Sequence, residues 1–195
     1  LFNAKMIEIA LANIPGFGPS NPIGDGTSFL AYWPALIDSS HITEYVHLDE
    51  EIIEVLPTSQ QDLPAVVADF RPATVSAAPS GDMVSIPFGR LFGTRSGDKG
   101  GCANLGVWAK NDEAYGFLHN FLTIERLKAL LPDTAEFEID RYELVNVRSL
   151  NFLIKGILGE GVASSVRTDP QAKTLGEYLR AKTIDVPAIL AAQVK

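Results

Sequence analysis

The sequence is poor in cysteine and histidine, and both scarcities narrow the range of function. Cys102 is the only cysteine, so no disulfide can form within one chain, and a reducing, cytoplasmic compartment is expected. Because Cys102 lies in an apolar stretch, it fits a small core residue better than a nucleophile. The three histidines, His41, His47 and His119, have no ligand spacing with each other or with carboxylates. We therefore expect no metal ion.

Basic residues and long apolar runs are also scarce. The 195 residues carry 16 Lys and Arg against 24 Asp and Glu, a formal net charge of -8, whereas a nucleic-acid-binding protein needs a basic surface. No apolar run is long enough to cross a bilayer, and residues 1–5 lack the parts of a signal peptide. We expect a soluble protein with neither nucleic acid nor membrane as a partner, and the 46% hydrophobic content is enough for a core.

The chain does contain a polar, glycine-rich run over residues 93–101. It holds four glycines, and its other residues are Thr94, Arg95, Ser96, Asp98 and Lys99. The apolar segments 83–92 and 102–109 on either side predict strands. One interpretation is a flexible loop that receives an anionic or carbonyl-bearing ligand with backbone amides, Arg95 and Lys99. The other is a tight hairpin in which Arg95 and Asp98 pair with each other.

The common nucleotide-binding loops do not fit this run. A P-loop has four residues between its glycines and then Gly-Lys-Ser/Thr, but here three residues separate Gly93 from Gly97 and no hydroxyl follows Lys99. A dinucleotide loop opens a helix, whereas residues 102–108 predict a strand. We therefore expect that this run binds neither a nucleoside phosphate nor a dinucleotide, and we expect no other cofactor.

Strands and helices alternate after an interval rich in proline. Residues 57–82 have no periodicity and four prolines, which predicts a linker or an extended strap across a neighbouring surface. Before it, the apolar stretch 29–37 predicts an edge strand or a surface covered by other protein, and segments 41–47 and 50–56 predict short strands. We expect a homo-oligomer.

Capping residues and periodicity predict the elements that follow. They are a helix capped by Asn111 and recapped at Thr123, a strand from Phe137 with a bulge at 140–141, a buried helix over 150–158, a strand over 162–168 and a helix begun by Asp169. This order predicts an α+β fold, a ferredoxin-like sandwich in which helices pack on one face of a small mixed sheet.

A second polar group lies in residues 146–151. Arg148 precedes an apolar segment, where an unpaired guanidinium is costly to bury. In one interpretation, Arg148 pairs with Asp98 or caps a carboxyl end. In the other, it joins Arg95 and Lys99 in binding a carboxylate, a thioester or a phosphate.

Several side chains near the glycine-rich run are candidates for chemistry. The amides of Asn104 and Asn151 can hold a carbonyl oxygen. Asp98 can act as a base, and Lys99 as an acid or a carbonyl-polarising cation, if burial tunes their proton affinities toward neutral pH. Ser96 has no activating partner in the sequence, which argues against a role as nucleophile.

Six short motifs occur together after residue 85. They are Ile86-Pro87-Phe88-Gly89, Arg95-Ser96-Gly97-Asp98-Lys99-Gly100, Ala103-Asn104-Leu105-Gly106, Arg141-Tyr142-Glu143-Leu144, Leu150-Asn151-Phe152 and Gly159-Glu160-Gly161-Val162. Together they resemble the C-terminal domain of the acyclic terpene utilisation (AtuA) family. The Arg-Ser-Gly-Asp-Lys-Gly hexapeptide is the specific part, and the resemblance covers about residues 83–183. Segments 13–17 and 32–36 are similar to the end of that family's large N-terminal domain.

The resemblance implies a ferredoxin-like domain that works with a larger α/β domain on the same or a separate chain. It divides the sequence into the end of that larger domain over 1–56, a linker over 57–82 and the ferredoxin-like domain over 83–195. It also implies breakdown of acyclic terpenoids and branched acids as coenzyme A thioesters, by a lyase, a hydratase or another enzyme that acts on acyl thioesters. Gly101 and Cys102 depart from the family, in which many relatives have polar residues there.

Together these expectations predict that an acyl-CoA or a carboxylate binds at the charged, glycine-rich run 93–101. Asp98 and Lys99 are the candidate catalytic residues. The candidate substrate-binding residues are Arg95, Ser96, Gly97, Gly100, Asn104, Arg148 and Asn151. The alternative is a non-catalytic assembly or interaction module of a multidomain complex in the acyl-CoA pathway, in which the same charges hold domains or subunits together.

Overall fold

The chain forms two compact units, Leu1–Leu30 and Ala31–Lys195. This computed structural model describes residues 1–12, 15, 24–26, 28–30, 33–55 and 74–193. In the first unit, helix α1 (Phe2–Ala10) confirms the predicted N-terminal helix, and Asn3 Nδ2 donates to Asp25 Oδ1 at 3.1 Å. Most of the turn predicted after this helix lies outside the described residues, as does most of the proline-rich segment before residue 74.

In the second unit, two strands form a separate hairpin before that segment. They are β1 (Glu44–Leu48) and β2 (Glu51–Val55), which pair antiparallel, so the two short strands predicted here are confirmed. The edge strand predicted within 29–37 is wrong, since the described residues of that stretch have no regular structure. Pro34 removes a donor that a strand ladder would use.

Two antiparallel sheets follow in the same unit. The first pairs β3 (Met83–Pro87) with β8 (Thr183–Pro187). The second has the order β4-β5-β7-β6, made of β4 (Phe92–Lys99), β5 (Cys102–Ala109), β6 (Ile139–Leu144) and β7 (Ser149–Ile154). The helices are α2 (Phe88–Leu91), α3 (Asp112–Phe121), α4 (Ile124–Leu130), α5 (Leu175–Arg180) and α6 (Ala188–Ala191).

One face of the four-stranded sheet forms the core with the helices. Its strands contribute Leu105, Phe152 and Ile154, which are fully buried, and α3 and α5 contribute Leu118 and Leu179. The predicted α+β class with helices on one face is confirmed. The prediction of a mixed sheet is wrong for the described strands, which all pair antiparallel, because β4–β5 and β6–β7 are hairpins.

The caps predicted after the glycine-rich run are confirmed. The Asn111 side chain accepts a hydrogen bond from the Ala114 amide at 2.8 Å and begins α3. The Thr123 hydroxyl accepts one from the Arg126 amide at 3.1 Å and begins α4. Each cap satisfies an N–H group that the first turn of a helix leaves without a partner.

Three predicted elements in this part of the chain are wrong. The strand predicted over 83–92 is interrupted by α2. The helix predicted over 150–158 is instead strand β7 and a turn, and Leu150, Phe152 and Ile154 are buried at the two-residue period of a strand. The bulge predicted at 140–141 is absent, because β6 keeps continuous register with β7.

The segment after β7 also differs from the prediction. Residues 162–168 form turns and irregular structure, so the strand predicted there is wrong. The Asp169 carboxylate accepts hydrogen bonds from the amides of Lys173 and Thr174, both at 2.9 Å. Asp169 therefore closes a turn, and α5 begins later, at Leu175.

Residues 74–80 lie across α3. Val75 and Ala78 pack against the core, and a Cβ on Gly116 would collide with the Ser76 carbonyl oxygen. Glycine costs a helix interior about 1 kcal/mol relative to alanine, so its position in α3 is explained by this close approach. The described end of the proline-rich segment is thus an extended strap, one of the two predicted alternatives.

An ion cluster ties β6 to the end of α3. The Arg141 guanidinium donates to the carbonyl oxygens of His119 and Leu122 at 2.7 and 3.2 Å, two acceptors that the helix end leaves without partners. Glu143 Oε1 lies 2.9 Å from His119 Nε2 and 2.5 Å from Arg141 Nη1. The adjoining His119 side chain lowers the pKa of Glu143 most, burial opposes this shift, and Arg141 lowers the pKa further.

Replacing Gly116 by Ala is expected to displace the strap. Overpacking costs about 1–3 kcal/mol, which exceeds the gain in helix propensity of about 1 kcal/mol. Hydrogen exchange should therefore become faster over residues 74–80, and the free energy of unfolding should fall. Gly24→Ala, whose methyl group meets no atom of the described residues within 4 Å, is the control. Unchanged protection of residues 74–80 in Gly116→Ala would contradict the close contact.

The Glu143 cluster predicts a loss of stability in acid. A carboxyl whose pKa is lowered in the folded state stabilises the fold while ionised, and this stability is lost as the pH falls through the folded-state pKa. From about pH 5 to about pH 3, the free energy of unfolding should fall more steeply for the wild type than for Glu143→Gln. Urea titrations at each pH measure this, with the exposed Glu136→Gln as control. Parallel curves for the wild type and Glu143→Gln would rule out this contribution.

Candidate ligand-binding face

The run 93–101 is a hairpin and not a loop. Residues 92–99 form β4, and a two-residue turn at Gly100 and Gly101 leads into β5. Gly100 has a φ of 60°, which favours glycine, and a Cβ on Gly101 would collide with the Gly159 carbonyl oxygen. The predicted hairpin is confirmed, but the ion pair predicted within it is not.

The alternation of strand side chains divides the candidate site residues between two faces. The helix-packed face of β4 carries Phe92, Thr94, Ser96 and Asp98, because their partners on β5 are the buried Ala109, Val107, Leu105 and Ala103. The opposite face, which we call the open face, carries residues 93, 95, 97 and 99 of β4, 102, 104, 106 and 108 of β5, 149, 151 and 153 of β7, and 140, 142 and 144 of β6.

The open face brings together five of the candidate residues, which are Arg95, Gly97, Lys99, Asn104 and Asn151. In one row across the sheet, Arg95 lies opposite Gly106, and Gly106 lies opposite Asn151. In the next row, Gly97 lies opposite Asn104. The Asn104 amide Nδ2 is 3.4 Å from Asn151 Oδ1, so the two amides meet beside Gly106.

Two of the charged residues are separated by this arrangement. Asp98 lies on the helix-packed face, whereas Arg95 and Lys99 lie on the open face and are exposed. The predicted pairing of Arg95 with Asp98 is therefore wrong, because residues three apart in a strand point to opposite sides. Lys99 Nζ donates to the Asp98 carbonyl oxygen at 3.0 Å.

Ser96 is buried and fastens α5 to β4. Its hydroxyl oxygen accepts a hydrogen bond from the Gly176 amide at 2.9 Å and donates to the Lys173 carbonyl oxygen at 3.3 Å. A Cβ on Gly176 would lie 2.8 Å from the Thr94 hydroxyl, so the helix and the strand approach closely. Ser96 thus contacts the protein interior and lies on the other side of the sheet from Arg95.

Arg148 lies apart from the open-face cluster. Its Nε donates to Asp112 Oδ1 at 2.5 Å, so the predicted pairing with Asp98 is wrong. The residue has a φ of 52° and ends the turn between β6 and β7. It borders a hollow of about 210 Å³ lined by Thr74, Ser76, Asp112, Tyr115, Val145, Asn146 and Arg148.

Lys173 is a residue of the open face that the sequence did not reveal. Its backbone lies on the helix-packed side, where the carbonyl oxygen accepts from Ser96. Its Nζ lies 3.3 Å from the position that a Cβ on Gly97 would occupy and 4.0 Å from Asp98 Oδ1. The side chain therefore reaches around the edge of β4 to the open face.

Aromatic side chains border the same surface. The Trp108 indole lies over Gly93, where it would collide with a Cβ, and it is half-exposed. Tyr142 lies opposite Asn151 on β6, and its hydroxyl donates to Asp140 Oδ2 at 3.2 Å. The open face thus carries aromatic side chains on β5 and β6 as well as cations along β4.

The far end of the open face is electrostatically balanced. Lys155 Nζ lies 2.6 Å from Glu138 Oε1 and 3.1 Å from Asp140 Oδ2. Hydrogen bonds to Glu138 and Asp140 raise the pKa of Lys155. Because Lys155 is matched by two carboxylates, it adds little positive potential, and the candidate anion site lies at the β4 side.

Within the described residues, no group of three or more His, Cys, Asp or Glu side chains is arranged to hold a metal ion. None of the helices formed by these residues has the length and apolar character that a membrane span requires.

An antiparallel sheet packed by helices on one side, with polar groups on its open side, defines an α+β domain of ferredoxin-like class. Residues 86–185 match the AtuA ferredoxin-like domain family, which is 100 of the 195 residues. The chain belongs to this family, and the resemblance seen in the sequence is confirmed. No curated protein matches the chain, and no solved structure does.

Removing the Ser96 hydroxyl is expected to weaken the fold. Ser96→Ala leaves the Gly176 amide without its acceptor in a buried position, which costs about 1–3 kcal/mol. Chemical denaturation of the variant should show this loss. Ser149→Ala, which removes a hydroxyl bonded to a carbonyl on exposed surface, is the matched control. If both variants unfold alike, Ser96 does not fasten α5 to the sheet.

Proposed function

We propose that the open face binds the acyl part of a branched acyl-CoA or the corresponding free carboxylate. In this proposal, the chain is part of an AtuA-like enzyme of acyclic terpenoid or branched-acid catabolism, and it acts together with the family's larger α/β domain. The observation that carries the proposal is that Arg95, Asn104 and Asn151 share one face of the sheet beside a glycine.

The chemistry of these side chains suits a carboxyl-derived group. Arg95 supplies a permanently charged donor that can bond both oxygens of a carboxylate. The amides of Asn104 and Asn151 can donate to a carbonyl oxygen of either a carboxylate or a thioester. In a chain of net charge -8, a site for an anion requires such a local concentration of donors.

The apolar part of the ligand has a matching surface. Trp108, Tyr142 and Leu144 lie on the open face and are each roughly half-exposed. Burying apolar area is worth about 25 cal/mol per Å². A branched chain of four or five carbons therefore gains binding free energy by lying on these apolar side chains. The proposal therefore orients the head group toward β4 and the chain toward β6.

The catalytic roles of Asp98 and Lys99 stay predictions. Lys99 is the better placed of the two for a ligand on the open face, since Asp98 belongs to the opposite side of β4. A reaction on an acyl thioester would use Lys99 to polarise the carbonyl. A base would then come from the partner domain or from Asp98 at the strand edge.

The second candidate function is an assembly module. It is favoured by the same half-exposed Trp108, Tyr142 and Leu144, because several apolar side chains on one exposed face are typical of protein contacts. In that case the open face contacts the larger α/β domain or a second copy in a homo-oligomer, and Arg95 and Lys99 form ion pairs with the partner.

Calorimetric titration of the 195-residue chain with isovaleryl-CoA and with isovalerate tests the first function. Arg95→Ala should weaken binding about 10- to 100-fold, since a hydrogen bond to a charged group contributes about 1.5–3 kcal/mol. The exposed Arg90→Ala is the matched control. Binding that is equal in the wild type and Arg95→Ala would overturn the proposal. A change of sedimentation behaviour without a change in binding would favour the assembly module.

A further inference from the structure

Four residues at the β4 edge of the open face form a square with an opening at its centre. Arg95 and Gly97 are next to each other along β4, and their partners on β5 are Gly106 and Asn104. The two side chains that can bind a ligand, Arg95 and Asn104, thus occupy one diagonal, and the two glycines occupy the other. Diagonal neighbours on a sheet are about 7–8 Å apart, which leaves a small polar group enough room between them.

The space above Gly106 is open. A Cβ at this position would meet only the Arg95 carbonyl oxygen within 4 Å, at 3.6 Å, which is ordinary van der Waals contact. The backbone at Gly106 does not have a positive φ. Neither strain nor crowding within the described residues therefore requires glycine here, in contrast to Gly101 and Gly116.

The space above Gly97 is bordered by a cation. Lys173 Nζ lies 3.3 Å from the position of a Cβ on Gly97, and Asn104 Oδ1 lies 3.9 Å from it. The nearest carboxylate oxygen recorded for this ammonium group, Asp98 Oδ1, is 4.0 Å away, which is too long for a hydrogen bond. Lys173 thus retains donors for a ligand that lies beside Gly97.

We infer that the square is a subsite for the ionised carboxylate of a branched acid, which lies on Gly106 between Arg95 and Lys173, since Gly97 itself is buried. This inference rests on the proposed function and names its ligand as the free carboxylate and not the thioester. Two cations beside one opening favour a charged group, and a thioester carbonyl carries no charge. Gly106 is the residue that admits the carboxylate, because any side chain there would fill the opening.

The ligand arm of the test compares probes of one shape and different charge. Isovalerate should bind the wild-type chain at least 10-fold more tightly than 3-methylbutanamide, its uncharged analogue. Free coenzyme A serves as a second source of anionic groups through its phosphates. The carboxylate subsite is overturned if the amide binds as tightly as isovalerate. It is also overturned if changing Gly106 and Lys173 weakens the binding of free coenzyme A but not that of isovalerate.

The protein arm uses two variants that act by different means. Gly106→Ala should weaken isovalerate binding at least 10-fold while the melting temperature stays unchanged, since the methyl group fits the fold and occupies the subsite. Lys173→Met keeps most of the unbranched side chain and should also weaken binding about 10-fold by loss of the charge. Gly24→Ala and the exposed Lys110→Met are the matched controls and should bind as the wild type does.

The outcomes separate this inference from the proposed function. Weaker binding by both Gly106→Ala and Lys173→Met supports the subsite. If Arg95→Ala loses binding while Gly106→Ala and Lys173→Met bind as the wild type does, the subsite is overturned and the proposed function stands. If the wild-type chain binds neither isovalerate nor isovaleryl-CoA, both are overturned. If Gly106→Ala fails to fold, the subsite is tested by the binding of isovalerate to Lys173→Met and by the comparison of isovalerate with 3-methylbutanamide.

Discussion

Burial of one face of the four-stranded sheet is the constraint on which the rest of this unit depends. Leu105, Leu150 and Phe152 are fully buried against the helices, and successive side chains of a strand point to opposite sides. Once those positions are fixed in the core, every polar residue between them must lie on the open face. The position of Asn104 and Asn151 follows from the burial of their neighbours and not from any attraction between the two amides.

Polar side chains on the helix-packed side of the sheet bind the ends of helices, whereas those on the open side face the surface. Ser96 bonds the backbone of α5, and Arg141 bonds carbonyl oxygens at the end of α3. In each case the side chain satisfies a backbone group that a helix terminus leaves without a partner. Their hydrogen bonds connect elements of the core, whereas Arg95 and Lys173 are directed to the surface. The hexapeptide 95–100 therefore combines residues that bind the protein itself with residues available to a ligand.

The sequence singled out residues that share the open face, but it did not predict how they are arranged. Chemistry and spacing were enough to single out Arg95, Asn104 and Asn151, because charged and amide groups among glycines are unusual between apolar strands. The same reasoning grouped Asp98 and Arg148 with them. Asp98 fails to join Arg95 because of strand parity, and Arg148 because the β6–β7 turn directs it to Asp112. The spacing of apolar residues also misled over 150–158, where residues three or four apart resemble a helix although every second residue of β7 is buried.

The sequence by itself determined the helix caps, the strand after the glycine-rich run and the family. The caps at Asn111 and Thr123, the strand over 102–109 and the hexapeptide each depend on a few neighbouring residues, so their physics is present in the chain before it folds. Only the tertiary structure decided which face each residue occupies and that Lys173 reaches over Gly97. Lys173 is far along the chain from Gly97, and such a contact is fixed by the packing of α5 on β4, which no local pattern encodes.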